Sequence, residues 1–370
     1  MYRLILVGGG HAHLSVLRAM AKHRLNIDAV LITPSLHPIY SGMLPGWMAG
    51  HYSLSDCKID LDPLAQAAGV KIIIDHAMGV DANRQFIALS DGTRLNYDFL
   101  SLDVGSELNL SWLNALGNRL LPVKPIEAFV QRWPDILAQA AKQKNYQLVV
   151  VGGGAAGVEI AFAAQHVFVE RAYNATVSLI ASEKGILPGH SFCVVKRVRD
   201  LLVKRGIKLH EAHAVGTEQG VLLGNSQYLH ADIVIAATGS SPPYWLETAH
   251  LALDEHGYIS VDATHQSLSH PNVFAAGDVC ARIDCIMPRS GVHAIYVGSV
   301  VAHNLITSIS GGKFIRYWPR KRSLYLLATG PKHAIASWGA FSAQGDWVWR
   351  WKNWIDRRFI QANSSLEPPA

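Results

Sequence analysis

Two histidines one residue apart, His11 and His13, follow three glycines close to the first residue of the chain. An H-x-H pair can ligate a metal, whereas glycines before a helix can hold the pyrophosphate of a dinucleotide. Residues i and i+2 of a helix do not share a face, so the two imidazoles should point apart. The surrounding sequence suggests no third ligand. We therefore predict no metal site and two neutral histidines, because a helix N-terminus disfavours a cation.

The glycine turn occurs twice in the chain. "LILVGGGHAHLSVL" at 4–17 is matched by "LVVVGGGAAGVEIAFAA" at 148–164. In each copy an apolar strand precedes the glycines, and small and apolar residues typical of a buried helix follow them. A further apolar strand comes after each copy, "DAVLIT" at 28–33 and "TVSLIA" at 176–181. The repeat predicts two βαβ units with a glycine turn in each.

The three glycines of such a turn have different physical roles. The first allows a tight turn, the second lets a pyrophosphate approach the backbone, and the third lets the helix pack closely on the strand. The second copy has all three: Gly152, Gly154 and Gly157. The first copy has Gly8 and Gly10, with His13 in the third place. Two copies in a βαβ context favour two dinucleotide sites.

The ends of the strands offer further polar groups. An acidic residue after the second strand of a βαβ unit commonly accepts from a ribose hydroxyl. The first copy has Thr33 there, and the second has Ala181, with Glu183 two residues on as either a ribose ligand or a solvated loop residue. NADH and NADPH therefore both remain open. Asp278 ends the strand in "NVFAAGDVC" and is either a ligand for a sugar-alcohol hydroxyl or a turn aspartate.

Length and composition limit the class of protein. A chain of 370 residues is longer than a domain with a single hydrophobic core usually is, so we expect at least two domains. A composition of 49% hydrophobic and 16% charged residues is typical of buried parallel sheets. The net charge of +5 does not imply nucleic-acid binding, because the basic residues are spread out until the last sixty positions. Four cysteines do not make a disulfide scaffold. We find no room for a signal peptide and no apolar run of about 18–20 residues, and expect a cytoplasmic protein.

Taken in order, these motifs resemble the pyridine nucleotide–disulfide oxidoreductase superfamily. The order is the glycine turn at 8–13, "YDFLSLDVGS", the turn at 152–159, "AATG" and "AAGD". The resemblance implies an α/β fold with two Rossmann-like, doubly wound parallel-sheet domains, the second inserted in the first, and a small C-terminal α+β segment. The expected domains are an FAD-binding domain at 1–109 and 240–310, an NAD(P)H-binding domain at 110–239, and a C-terminal segment at 311–370.

The resemblance also implies the cofactors FAD and NAD(P)H and a role for each site residue. The FAD pyrophosphate would lie at Gly8, Gly10 and His11, the adenosine near Thr33 and Ala77, the ribitol at Asp278, the isoalloxazine against Tyr40 and Pro45, and its pyrimidine end at Gly291 and Val292. We also place in the FAD site His13, Pro34, Gly105 and Gly277. The NAD(P)H site would comprise Gly152, Gly154, Ala155, Gly157, Glu159 near the nicotinamide, Glu183 and Gly239. No side chain is expected to act as an acid or base in hydride transfer.

Within the superfamily the chain resembles the type II NADH dehydrogenase branch, and in particular the flavoprotein fused to or beside selenide, water dikinase. This closer resemblance depends on "HPIYSGMLPGWMAGHYS" (37–53), "LPVKPIEAF" (121–129), "PRSGVHA" (288–294) and "AIASWGAFSAQGDWVWRWKNWIDRRF" (334–359).

The chain also departs from its relatives. The stretch at 37–53 has no redox cysteine pair, so we expect that the protein is not a disulfide reductase. We expect Cys280 and Cys285 to be loop cysteines. The glutamines that face the quinone in type II dehydrogenases are replaced at Val292, Tyr296 and Val297.

The C-terminal segment contains an aromatic stripe. Helical spacing brings together Trp347, Trp351, Trp354, Ile355 and Phe359. Such a stripe beside cations either lies in a membrane interface or packs on the protein's own core or a second subunit.

Three functions follow from the sequence. The first is an FAD-dependent NAD(P)H oxidoreductase with an unidentified electron acceptor. The second is a quinone-reducing dehydrogenase, peripheral on the inner face of the membrane. The third is a low-turnover flavoprotein partner in selenium metabolism. The sequence leaves open a homodimer and predicts no nucleic-acid partner.

Overall fold

The computed structural model describes residues 1–23, 25–287, 291–320 and 322–364. The helices are α1 (His11–His23), α2 (Leu44–Met48), α3 (Asp62–Ala68), α4 (Ile126–Lys142), α5 (Ala155–Glu170), α6 (Phe192–Lys204), α7 (Gly291–Ser310) and α8 (Asp346–Ser364). The strands as far as the middle of the chain are β1 (Arg3–Val7), β2 (Asp28–Thr33), β3 (Val70–Ile74), β4 (Ala77–Asp81), β5 (Phe86–Leu89), β6 (Arg94–Asn96), β7 (Phe99–Leu102), β8 (Glu107–Leu108), β9 (Leu120–Pro122), β10 (Tyr146–Val151) and β11 (Ala175–Ala181). The later strands are β12 (Lys208–Glu211), β13 (Ala214–Thr217), β14 (Gly220–Leu223), β15 (Tyr228–His230), β16 (Ile233–Ala236), β17 (Ser240–Ser241), β18 (Ile259–Val261), β19 (Val273–Ala275), β20 (Cys280–Arg282), β21 (Leu324–Ala328), β22 (Ala334–Trp338) and β23 (Phe341–Gly345).

Two parallel five-stranded sheets form the body of the protein. The first has the order β19-β7-β1-β2-β3 and the second the order β12-β11-β10-β16-β9. The strands of the second sheet lie in sequence between β7 and β19 of the first, so the second Rossmann-like unit is inserted in the first. The expected α/β fold is confirmed.

The internal repeat extends beyond the two βαβ units. The orders β7-β1-β2-β3 and β16-β10-β11-β12 are equivalent, and each half inserts a three-stranded antiparallel sheet before its fourth parallel strand. These insertions are β4-β5-β6 and β13-β14-β15. Both faces of each parallel sheet are covered, which explains why strands such as "LVVV" and "IVIA" read as uninterrupted apolar runs.

Helices α1 and α7 pack together on one face of the first sheet. Ala12, Leu14 and Leu17 of α1 share a buried cluster with Val297 and Val301 of α7. Gly298 makes the close approach possible, because a Cβ there would lie 2.9 Å from the carbonyl oxygen of Ala12. The beginnings of both helices are thereby held at the same edge of the sheet.

Helix α7 corrects one sequence expectation. The helix has 20 residues and contains an 18-residue window with a mean hydropathy of 1.3, so by length and composition it is the one candidate membrane span in the part of the chain that the structure describes. The expectation that no segment reaches this length was therefore wrong. More than half of that window is buried inside the protein, as in a core helix.

The C-terminal segment is a three-stranded antiparallel sheet, β21-β22-β23, followed by α8. Val348 of α8 packs with Ala334 and Ala336 of β22 in a small buried cluster. The next turns of α8 cross to the segment around Tyr40, so α8 joins the C-terminal sheet to the first Rossmann-like unit.

Candidate functional site

The first glycine turn opens onto a cavity of about 480 Å³ at the carboxyl ends of the first sheet. Most of the residues expected to bind FAD line it: Gly8, Gly10, His11, Thr33, Pro34, Tyr40, Ala77, Gly105, Gly277, Asp278 and Gly291. His13, Pro45 and Val292 are not among its lining residues. Pro45 is buried in α2, and Val292 is partly buried in α7. The turn, the strand ends and the first turn of α7 therefore share one cavity.

Asp103 lies under this turn, and the sequence reasoning missed it. The side chain is 4% exposed, and its carboxylate accepts hydrogen bonds from the backbone N–H groups of Ala12 (2.8 Å) and His13 (3.1 Å). Burial raises the pKa of Asp103 to about 6. The carboxylate also explains Gly10, since a Cβ there would lie 2.4 Å from it. Its position directly after the buried strand β7 is the same signal that singled out Asp278.

His13 has a structural role in the first turn. Its Nδ1 lies 2.7 Å from the carbonyl oxygen of Gly8, and its Nε2 lies 2.9 Å from Oγ of Ser101. Because a carbonyl can only accept, Nδ1 carries the proton and Nε2 accepts from the serine. Burial lowers the pKa of His13 to about 4, so the side chain is neutral as expected.

The matching position in the second turn is much tighter. A Cβ on Gly157 would lie 1.9 Å from the carbonyl oxygen of Gly152. His13 carries a Cβ at the equivalent place, so the two turns cannot be superimposable there. The imidazole spans the wider space and bonds the carbonyl of Gly8, which corresponds to Gly152.

His11 points away from His13, as the helical spacing predicts. Its ring lies 5.5 Å from the rings of both Tyr40 and Phe359, and it faces Gly291 at the start of α7. Burial lowers the pKa of His11, which favours the neutral form. The described residues contain no group of three or more His, Cys, Asp or Glu side chains that could hold a metal.

Asp278 is paired with a lysine from outside the first sheet. Nζ of Lys124 lies 3.5 Å from the carboxylate of Asp278 and donates a 2.9 Å hydrogen bond to Oγ of Ser106. Lys124 follows β9, the edge strand of the second sheet, and also lines the cavity. The motif "LPVKPIEAF" does not by itself indicate a role for this lysine.

The second glycine turn opens onto a separate cavity of about 400 Å³. Of the predicted NAD(P)H residues, Gly152, Gly154 and Gly239 line it. Gly152 has φ +136°, and a Cβ there would lie 2.0 Å from the carbonyl oxygen of Ala237. A Cβ on Gly154 would meet no atom within 4 Å, so its backbone faces open space. This geometry leaves room for a ligand at the start of α5.

Four predicted NAD(P)H residues, Ala155, Gly157, Glu159 and Glu183, lie outside the lining of that cavity. Ala155 is partly buried in α5, Gly157 is buried against the turn, and Glu183 is exposed. The end of β11 contributes Ala181 and Ser182, and the next strand contributes His213 from its following loop. An acidic group for the ribose is therefore not among the described lining residues.

Glu159 lies on the side of α5 that faces the C-terminal segment, and it does not line the second cavity. Its Oε1 accepts a 2.7 Å hydrogen bond from the backbone N–H of Ala328. Burial raises the pKa of Glu159 to about 7, against the opposing effect of Lys352.

Lys352 and Asp356 form a buried ion pair between α8 and the segment at Tyr40. Nζ of Lys352 lies 2.8 Å from the Asp356 carboxylate and donates a 2.8 Å hydrogen bond to the carbonyl of Gly42. The hydroxyl of Tyr40 donates to Asp356 at 3.3 Å. Burial disfavours the charge on Lys352, but Asp356 and Glu159 outweigh it and raise its pKa. We call Tyr40, Glu159, Lys352 and Asp356 the polar cluster.

The tryptophan stripe of α8 faces outward. Trp347, Trp351 and Trp354 are 53%, 38% and 55% exposed. Phe359, from the same predicted stripe, instead packs against Tyr40 with ring centroids 4.7 Å apart. Packing on the protein's own core is therefore wrong for the three tryptophans and right for Phe359.

Cys280 and Cys285 are not joined by a disulfide. Cys280 is buried and donates to the carbonyl of Ala275 at 3.4 Å. Burial raises the pKa of Cys285. Cys280 is the first residue of β20, so the expectation of a loop cysteine is wrong for Cys280, whereas Cys285 lies outside the strands and helices.

A model of the pyridine nucleotide-disulphide oxidoreductase family matches residues 2–298. The chain belongs to this family. Relatives of known identity include Ferroptosis suppressor protein 1 of Xenopus tropicalis, 30% identical over 213 residues. That alignment covers 53% of this chain and 54% of the frog protein, so the chain spans about half the length of this relative. An NADH dehydrogenase-like protein of Mycobacterium tuberculosis is 25% identical over 297 residues, covering 76% of this chain and 73% of that protein.

Solved structures show the same fold at low sequence identity. NDH2 from Plasmodium falciparum in complex with NADH has a TM-score of 0.81 at 14% identity, covering 98% of this chain and 97% of that one. The sulfide:quinone oxidoreductase of Aquifex aeolicus has a TM-score of 0.81 at 16% identity, covering 98% and 92%. The family assignment makes the chain an oxidoreductase, and the likeness of fold includes the C-terminal segment.

Proposed function

We propose that the protein is an FAD-dependent NAD(P)H oxidoreductase that delivers electrons to a second acceptor. The observation that carries the proposal is the pair of glycine turns, each at the carboxyl end of its own parallel sheet and each opening onto its own cavity. Bound FAD would supply the redox chemistry, accepting a hydride from NAD(P)H and passing two electrons on. The protein's own part is to position the two ring systems.

The residues of the first cavity suit FAD. Gly8, with φ +95°, and Gly10 line the cavity at the start of α1, so a pyrophosphate bound there would lie at the N-terminal end of this helix. The carboxylate of Asp278, which forms an ion pair with Lys124, suits hydrogen bonds from a chain of hydroxyls such as ribitol. Tyr40 and the N-terminus of α7 at Gly291 both line this cavity, which supports a contact with the isoalloxazine, and a helix N-terminus stabilises negative charge on a reduced ring.

The residues of the second cavity suit a nicotinamide nucleotide. Gly154 leaves its cavity side open, and Gly157 lets α5 lie against the turn, so the N-terminal amides of α5 can face a pyrophosphate. Ala181 and Ser182 place no carboxylate beside the expected ribose position, so a 2′-phosphate would meet no repulsion from them. We propose that both NADH and NADPH are substrates.

One absorbance experiment tests this function. The purified chain, loaded with FAD, should show the flavin spectrum, and NADH or NADPH added without oxygen should bleach it. A yellow protein that neither nucleotide bleaches would contradict the NAD(P)H reaction and favour the alternative of a low-turnover flavoprotein in selenium metabolism. A protein that does not bind FAD would contradict the proposal altogether.

The polar cluster favours a quinone as the second acceptor. Quinone reduction consumes two protons, and the cluster places a carboxyl group with a pKa of about 7 and a buried lysine behind Tyr40, which lines the first cavity. The residues Val292, Tyr296 and Val297 replace the glutamines expected for a quinone site, so the cluster is the feature that supports this acceptor. Rapid anaerobic reoxidation of the reduced protein by a short-chain quinone would support the assignment, and failure to reoxidise would contradict it.

A quinone dissolved in lipid requires the protein to reach a membrane surface. The exposed tryptophans of α8 suit the interface, and the guanidinium of Arg358 lies 5.2 Å from the ring of Trp354. We propose that this face of α8 attaches the protein peripherally to the inner face of the membrane.

A further inference from the structure

A basic pocket of about 430 Å³ lies outside both glycine turns. It is bounded by the first turn of α7, the loop after β11 and the C-terminal sheet. The polar side chains that line it include two arginines, two histidines and three hydroxyls: Arg320, Arg322, His190, His293, and those of Ser323, Tyr325 and Ser337. Within the described part of the chain, no Asp or Glu lines this pocket. The lining therefore suits an anion.

His293 lines this pocket and also a neighbouring cavity that contains the carboxylates of Asp278 and Asp284. It is 5% exposed, and its Nδ1 is buried without a hydrogen bond to any described residue. An unpaired buried polar nitrogen costs free energy that a ligand can recover. His293 lies in α7 two residues after Gly291, which lines the first cavity. The pocket and the proposed flavin site thus share the first turn of α7.

Both arginines are exposed and pack against neighbouring residues, and among the described residues neither guanidinium has a hydrogen-bond partner. The guanidinium of Arg320 lies 4.1 Å from the ring of Tyr296, and the stem of Arg322 lies against Gly339, where a Cβ would be 2.8 Å from its Cδ. No described carboxylate forms an ion pair with either arginine. A guanidinium matches the oxygens of a phosphate with paired hydrogen bonds.

We propose that His293, Arg320 and Arg322 bind the phosphate group of an organic ligand at a site separate from the two nucleotide cavities. Donors of three kinds surround the pocket, which suits a group with several acceptor oxygens better than a planar carboxylate with two. A volume of about 430 Å³ falls in the range of small-molecule sites, so the phosphate would belong to a larger molecule. The proposal does not depend on the identity of the flavin's electron acceptor.

Calorimetric titration of the FAD-loaded full chain with inorganic phosphate, at constant ionic strength set by chloride, tests the site. We expect saturable binding, and in the double variant Arg320→Gln/Arg322→Gln an affinity at least about tenfold weaker. The matched double variant Arg316→Gln/Arg350→Gln removes two exposed arginines outside the pocket and should bind phosphate normally. His293→Ala should weaken binding without altering FAD content or the melting temperature in chloride.

Several results would overturn the proposal. These are equal binding by the wild type and the arginine double variant, competition of phosphate with NADH, or binding of malonate but not of phosphate. Vesicles with and without phosphatidylglycerol identify the source of the group. If the wild type binds free phosphate, the ligand is a soluble phosphorylated molecule. If the wild type binds phosphatidylglycerol vesicles but not free phosphate, and the arginine double variant no longer binds these vesicles, the ligand is a lipid headgroup.

Discussion

The carboxylate of Asp103 accepts a 2.8 Å hydrogen bond from the backbone N–H of Ala12, in the first turn of α1. These N-terminal amides are also the groups that a dinucleotide pyrophosphate would approach. An ionised carboxylate here would repel the phosphates, whereas a protonated one would not. Asp278 adds to the negative charge near Asp103, and His11 opposes it, although burial keeps His11 largely neutral.

This arrangement predicts pH-dependent FAD affinity. Asp103 has a pKa of about 6, so it ionises as the pH rises from 5 to 8, and affinity should fall over that range. The fall should be about tenfold for each unit by which bound FAD raises the pKa of Asp103. Asp103→Asn should bind FAD more tightly at pH 8 and show a flatter pH profile, measured by fluorescence titration of the apoprotein. The exposed aspartate variant Asp91→Asn should retain the wild-type profile. An unchanged slope in Asp103→Asn would show that the carboxylate does not face the phosphates.

Sequence reasoning predicted the elements and the two turns because both depend on local residue types. Glycines at 152, 154 and 157 permit one backbone path, and uninterrupted apolar runs are typical of strands buried on both faces. It missed contacts between distant segments. From the sequence, Lys352 and Asp356 belong to the polar side of the predicted helix. In the structure they are on its buried side, because they form hydrogen bonds with Gly42 and Tyr40, which are more than 300 residues away in the sequence. Only the packing of α8 reveals that Trp347, Trp351 and Trp354 lie on its exposed side.

His13 should contribute to stability through its neutral form. Its pKa falls from 6.5 in the unfolded chain to about 4, so this contribution of about 3 kcal/mol is complete above pH 6.5 and is lost as the pH falls to 4. Asp103 acts in the opposite direction over pH 4–6, so the test uses Asp103→Asn as the background. Adding His13→Gln, which removes the titrating group, should flatten the dependence of the unfolding free energy on pH in urea titrations. A dependence as steep as that of the background would contradict this role.

The ion pair of Lys352 and Asp356 should hold α8 on the first Rossmann-like unit. Lys352→Met leaves the Asp356 carboxylate buried without its cation, which costs about 3–5 kcal/mol. Lys352→Met/Asp356→Leu removes both charges and should recover most of that loss. Thermal melts of the two variants measure the difference, with the exposed variant Arg358→Met as the control. A double variant no more stable than Lys352→Met would show that the charges do not act as a pair.

The tryptophans of α8 should control membrane binding. Trp347→Ser/Trp354→Ser removes apolar area from the exposed face and should reduce co-flotation with anionic vesicles severalfold, with the melting temperature nearly unchanged because both side chains are more than half exposed. Trp338→Ser, at the exposed end of β22 outside α8, is the matched control. If the wild type does not float with vesicles, the membrane proposal is wrong. If the wild type instead forms dimers that the double variant loses, this face contacts a second subunit.

Glu159 should affect the pH profile of acceptor reduction more than that of flavin reduction. With a pKa of about 7, its carboxyl group holds a proton below neutral pH and loses it above, so a proton-consuming step that uses it should slow as the pH rises through 7. Glu159→Gln should remove that limb from the rate of reoxidation by a short-chain quinone. Anaerobic bleaching by NADH should change little, since hydride transfer needs no protein acid or base. Stopped-flow traces of the two half-reactions separate these effects. A variant with the wild-type pH limb in reoxidation would exclude Glu159 as the proton source, and slower bleaching would instead place it beside the nicotinamide.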